Sequence, residues 1–112
     1  KYKLQMLAID GGDGCVFPTD KTINDGTYFP LSRPLFIYVS KAAWERQEVN
    51  DFVSYYVSND RADLLMELGF VPFPKQVHDL VLERFERGLT GTIFGGANPM
   101  DGTVKEILNA NR

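Results

Sequence analysis

The stretch Tyr28-Phe29-Pro30-Leu31-Ser32-Arg33-Pro34-Leu35-Phe36-Ile37-Tyr38-Val39 decides the fold. Two prolines bracket a short polar step, and an unbroken apolar run comes next. Pro30 and Pro34 fix their own φ and restrict the residues before them, so an extended connection rather than a helix is expected. Leu35 to Val39 is apolar at every position instead of every second one, the pattern of a strand covered on both faces. Such strands belong to sheets sandwiched by helices. Helical patterns occupy much of the remaining sequence, so the expected class is α/β, with a mixed sheet covered by helices. That reading requires Leu35–Val39 to be enclosed.

Working outward, Lys3 to Ile9 alternates loosely and reads as a strand. It ends at Asp10-Gly11-Gly12-Asp13-Gly14, a loop that needs glycine's positive φ. An irregular polar stretch comes after it, with a turn at Asn24-Asp25-Gly26. Beyond the apolar run, Ala42 to Gln47 predicts a short helical piece. Val49, Phe52, Val53, Tyr56 and Val57 share one face of a helix. Asn59 or Asp60 is expected to cap the next helix, which carries Leu64, Leu65 and Leu68 and stops at Gly69. Pro74 suits the first turn of a further helix, with Val77, Leu80, Val81 and Phe85 on one side and an end near Gly88. Thr90 to Phe94 is read as a short strand, and Gly95, Gly96 and Pro99 punctuate the segment after it. Thr103 and Glu106 form a capping box for a last helix with Val104, Ile107 and Leu108. So few strands make a poor sheet for so many helices. Further strands are therefore expected from outside the chain.

A length of 112 residues fits one domain or a piece of a larger one. Apolar content of 44% and charged content of 24% fit an ordinary globular protein. The net charge of −3, with Lys and Arg scattered, argues against nucleic acid as a partner. No stretch approaches the roughly 18 apolar residues of a membrane span. No signal peptide precedes the first expected strand, so a mature, trimmed or truncated chain is expected.

Cys15 is the single cysteine and His78 the single histidine. No internal disulfide can form, and neither a zinc site nor a Ser-His-Asp or Cys-His centre can be assembled. Cys15 is read as a loop residue and His78 as a helix-surface histidine. Asp10, Asp13 and Asp20 invite a calcium reading, but the alternating ligands and closing glutamate of an EF-hand are missing. Solvated carboxylates in a Gly/Asp turn are the favoured reading. Thr90-Gly91-Thr92-Ile93-Phe94-Gly95-Gly96 resembles an anion-binding nest but lacks a P-loop ending, and a glycine-rich turn is preferred. Ser32 and Arg33, at the mouth of the apolar run, could offer hydroxyl and guanidinium donors to an oxyanion. The structural alternative pairs Arg33 with a carboxylate. Trp44, Tyr55, Tyr56, Phe70 and Phe73 have the spacing of packing residues rather than of a stacking platform. No residue set supports catalysis, a metal or a cofactor.

The run Thr22 to Val39 resembles the signature near the C-terminal end of bacterial phosphate-binding proteins, the substrate-binding subunits of phosphate ABC transporters. The likeness continues through Glu48-Val49-Asn50-Asp51-Phe52-Val53, the step Leu68-Gly69-Phe70-Val71-Pro72-Phe73-Pro74 and the helix from Lys75 to Arg87. The resemblance implies part of a two-lobe periplasmic-binding-protein fold of type II, closing on phosphate like a clam shell. Residues 1–28 would then end the second lobe, residues 29–33 would cross the hinge at Phe29, Pro30 and Leu31, and residues 34–112 would form the C-terminal part of the first lobe. The family's main phosphate contacts lie in earlier motifs that this sequence does not contain. No phosphate ligand therefore carries over, and Ser32 and Arg33 remain the candidate ligand-binding pair. The resemblance further implies a non-enzymatic protein in the periplasm or lipid-anchored outside the cytoplasmic membrane. Its implied partners are phosphate, a transporter permease and the missing N-terminal part of the same protein, which could be a second chain. The alternative is a related oxyanion-binding or sensor module with a different ligand.

Overall fold

Helices form wherever this sequence can close its own hydrogen bonds. The computed structural model describes residues 3–96 and 103–110; Pro99 lies outside the described residues. Helix α1 (Asp20–Asn24) opens with a reciprocal capping pair, the Thr22 amide donating to Thr19 Oγ1 at 3.2 Å and the Thr19 amide to Thr22 Oγ1 at 2.9 Å. The sequence reads as irregular here, because threonine replaces the usual glutamate or glutamine at the third helical position. Helix α2 (Lys41–Trp44) is capped by Ser40, whose Oγ accepts from the Ala43 amide at 3.2 Å.

Helix α3 (Gln47–Val57) keeps the expected period. A single 3-10 turn, Asn59–Arg61, then leads into α4 (Ala62–Glu67), and no side chain caps either start, contrary to the expected role of Asn59 or Asp60. Helix α5 (Lys75–Glu86) begins after Pro74. Helices α4 and α5 end alike, on Gly69 and Gly88 at φ +84° and +61°. At α4, Phe70 donates to Leu65 O and Gly69 to Met66 O; at α5, Leu89 donates to Arg84 O and Gly88 to Phe85 O. These are Schellman closures, for which glycine is the fitting residue. Helix α6 (Val104–Ala110) opens on the expected capping box, with Thr103 N to Glu106 Oε2 at 3.1 Å and Glu106 N to Thr103 Oγ1 at 3.3 Å.

Strands fare differently. Among the described residues the only sheet is the antiparallel pair β1 (Ile9–Asp10) and β2 (Cys15–Val16), with Ile9 opposite Val16. Cys15 thus ends a hairpin loop and is exposed. The strand expected over Lys3 to Ile9 shrinks to its last residue and Asp10, and Thr90–Phe94 is turn and coil. Leu35–Val39 is neither a strand nor buried: Leu35 is 71% and Tyr38 92% exposed. The mixed sheet covered by helices is absent among the described residues. The physical reason is common to all three segments. A strand's hydrogen bonds need a second strand, and among the described residues none lies beside these segments except Val16, opposite Ile9.

What holds the chain together is a helical layer in which α5 packs against α3 and α6, and α2 against α3. Among the described residues its buried apolar residues are Val53, Val77 and Leu108, and no large side chain is wholly enclosed. The chain exposes 8464 Å2, about 2,200 Å2 more than the roughly 6,200 Å2 of a compact monomer of 12.7 kDa. Its radius of gyration of 15.8 Å likewise exceeds the roughly 13 Å of a compact domain of this length. The apolar run therefore lies at a wet margin, but of a structure that does not complete its own core.

Candidate functional site

The expected hinge residues Phe29, Pro30 and Leu31 form a turn instead of an extended crossing; Ser32 N donates to Tyr28 O across it at 3.0 Å, and the Phe29-Pro30 peptide is cis. This turn is fastened to the hairpin. The Tyr28 hydroxyl donates to Leu7 O at 3.1 Å, and Gly11 lies so close that a Cβ there would sit 2.6 Å from Phe29 O. On the other side, Asn24 Nδ2 donates to Pro72 O at 3.1 Å and ties α1 to the segment ahead of α5.

Between this connection and the helices lies an apolar cleft of about 540 Å3. One wall is the run from Ser32 to Ile37; the other includes Tyr56 and Val57 of α3, Leu65 of α4, Phe73, and His78 and Val81 of α5. The structure brings Ser32 and Arg33 together at this cleft. Ser32 is half-buried and Arg33 exposed. Among the described residues Arg33 has no ion-pair partner, so the carboxylate expected beside it is not there.

His78 corrects the reading of a surface histidine. It is buried, 8% exposed, with its ring edge-on to Phe73 at 6.4 Å. Its Nδ1 lies 2.8 Å from Val57 O. A carbonyl can only accept, so Nδ1 carries the proton and Nε2 of the neutral ring is an acceptor. That Nε2 is buried without a partner among the described residues. The signal was present in the sequence: His78 precedes Val81 by three and Phe85 by seven, which puts it on the apolar face.

The other candidates resolve into structure. Asp10 Oδ1 accepts from the Gly12 and Gly14 amides at 2.8 and 3.0 Å, so this carboxylate closes its own turn. No group of three or more His, Cys, Asp or Glu side chains among the described residues is placed to hold a metal ion. The glycine-rich loop at 90–96 is gripped on its carbonyls by Arg84, which reaches Gly91 O at 3.2 Å. Phe94 from that loop packs edge-on against Phe36 at 5.5 Å. Arg61 lies 4.0 Å over the Tyr55 ring, a cation–π pair rather than a stacking platform.

Asp25, Glu48 and Glu106 bind their protons less readily than usual, and none of them lines the cleft. The Thr27 hydroxyl and amide, with Lys21 behind them, lower Asp25. Glu48 is lowered by its own backbone N–H and the Arg46 guanidinium, and Glu106 by the amide and hydroxyl of Thr103. Each belongs to a helix end. The cleft itself offers apolar walls, one orphaned imidazole nitrogen and a hydroxyl–guanidinium pair at its rim. No helix of the described residues is long and apolar enough to cross a membrane.

No family model matches the chain, and no solved structure does. Curated relatives do. The chain is 39% identical over 111 residues to "Protein SphX" of Synechococcus elongatus, covering 98% of this chain and 33% of that one. It is 38% identical over 106 residues to "Protein SphX" of Synechocystis, covering 94% and 31%. Against "Phosphate-binding protein PstS" of Staphylococcus aureus it is 36% identical over 84 residues, 74% of this chain and 25% of that protein. The chain thus spans about a third of the length of the SphX relatives it matches, and over a shorter stretch it is similar to a protein named for binding phosphate.

Proposed function

We propose that this chain is the C-terminal part of a phosphate-binding protein that delivers phosphate to an ABC-transporter permease from outside the cytoplasmic membrane, without catalysis. The observation that carries the reading is the likeness of nearly the whole chain to one third of longer proteins, together with a relative whose name states phosphate binding. An exposed area some 2,200 Å2 above the compact-monomer value fits a chain whose remaining cover is another part of the protein. On this reading residues 1–28 end the second lobe, residues 29–33 cross the hinge, and residues 34–112 form the C-terminal part of the first lobe. The turn Phe29–Leu31 sits at an element end, where dihedral change is absorbed when lobes close. Ser32 and Arg33, at the rim of the cleft, would add donors to an anion held mainly by groups upstream.

Calorimetric titration tests this. The complete polypeptide containing this chain is expected to bind phosphate saturably at one site, and the 112 residues alone are expected to give no binding heat. Absence of phosphate binding by the complete polypeptide would refute the reading. Preference for another oxyanion over phosphate would move the protein to the related sensor or carrier class.

A further inference from the structure

Asn24 reaches an unusually distant partner. It is the last residue of α1, half-buried, and its Nδ2 donates at 3.1 Å to the carbonyl of Pro72, 48 positions further on. If residues 1–28 and 34–112 belong to different lobes, that bond runs from one lobe to the other. No closely packed pair of elements among the described residues does so: the hairpin strands pair with each other, and the packed helices lie within residues 41–110.

The joint between the two sides is short and stiff. Tyr28 N donates to Thr22 O at 2.9 Å and the Tyr28 hydroxyl to Leu7 O, so the turn travels with residues 1–28. Ser32 N is bonded back to Tyr28 O, Arg33 is confined by the proline after it, and Pro34 fixes its own φ. Bending is squeezed into few dihedrals, and a single bond beside the joint can bias it. The accepting end is equally firm, because Pro72 and Pro74 fix their own φ and restrict Val71 and Phe73. Asn24 and Pro72 also line the same cleft as Ser32 and Arg33. Parting the two sides there breaks the bond: made at 3.1 Å, it is gone by about 3.6 Å.

We infer that Asn24 is a latch between the lobes, bonded to Pro72 O when the cleft is closed and released when it opens. This rests on the proposed division of the chain at residues 29–33. Asn24 is then a positioning residue, which supports phosphate affinity without touching the anion. One neutral hydrogen bond shifts the balance of closed and open forms about two- to tenfold. A ligand that binds the closed form loses affinity by up to the same factor when the bond is removed.

The test uses the complete polypeptide. Spin labels on Cys15, which is exposed, and on an exposed position of α4 through Glu67→Cys read the separation of the two sides by electron spin resonance. Calorimetry reads phosphate affinity. Without phosphate, Asn24→Ala is expected to add a population at longer distance, and phosphate binding should weaken about two- to tenfold. Asn24→Gln keeps a donor and should recover most of both. Unchanged distances, or unchanged affinity in a parent that binds phosphate, would overturn the latch and leave the transporter reading intact. Longer distances in Asn24→Ala when the parent binds no phosphate would sink the transporter reading and leave the latch standing. Tighter phosphate binding by Asn24→Ala would assign the bond to the open form and overturn the inference. A loss that Asn24→Gln shares in full would trace to the shape of the side chain rather than its donor, and overturn it as well.

Discussion

Replacing Gly88 by alanine should destabilise the protein by about 2 kcal/mol, through two separable terms. Gly88 has φ +61°, where a Cβ costs roughly 1–2 kcal/mol. The same Cβ would lie 3.0 Å from Cη2 and Cζ2 of Trp44, so the indole must shift by some tenths of an ångström. That ring is held by its Nε1–H donating to Phe85 O at 2.8 Å, and loosening this bond costs about 0.5–1.5 kcal/mol. Reduced freedom of the unfolded chain returns about 0.4–1 kcal/mol. Trp44 is the one tryptophan of the sequence, so its fluorescence during urea unfolding reports the site directly. Gly88→Asn tolerates the left-handed backbone and retains the ring clash, and should lose about half as much. A Gly88→Ala variant within about 0.5 kcal/mol of the parent, with unchanged tryptophan emission, would refute the argument that α2 is clamped onto the end of α5.

Two further outcomes can be checked. Gly11→Ala places a methyl 2.6 Å from Phe29 O and should cost about 1–3 kcal/mol by overpacking, measured by denaturant unfolding and by loss of the Tyr28–Leu7 contact in NMR spectra. Glu106 binds its proton less readily in the fold than its ordinary value of 4.5, because Thr103 donates to the ionised form. Its contribution to α6 is therefore present above 4.5 and lost as pH falls through the lower folded value; helicity measured by circular dichroism should drop in that window, and Glu106→Gln should flatten the drop.

Legibility in the sequence divided along the line between local and distant hydrogen bonds. The Thr103–Glu106 box, the stops at Gly69 and Gly88 and the face of α3 were readable because every partner lies within a few residues. Leu35–Val39 carries the composition of a covered strand, yet among the described residues no second strand lies beside it. The strands expected at Lys3–Ile9 and Thr90–Phe94 failed for the same reason. Ser32 and Arg33 stand at the start of the run by their place in the sequence, while the cleft they border arises from α3, α4 and α5 meeting in space. For His78, being the sole histidine does not imply exposure; its spacing to Val81 and Phe85 is the better guide.

The bare run also carries a hazard. Leu35-Phe36-Ile37-Tyr38-Val39 is uncharged, rich in aromatic and β-branched residues and free of proline, the make-up of segments that stack into cross-β fibrils. Pro34 ends it on one side, and Arg33 and Lys41 stand close by as charged gatekeepers. Their service is needed while the run stands bare, during synthesis and folding.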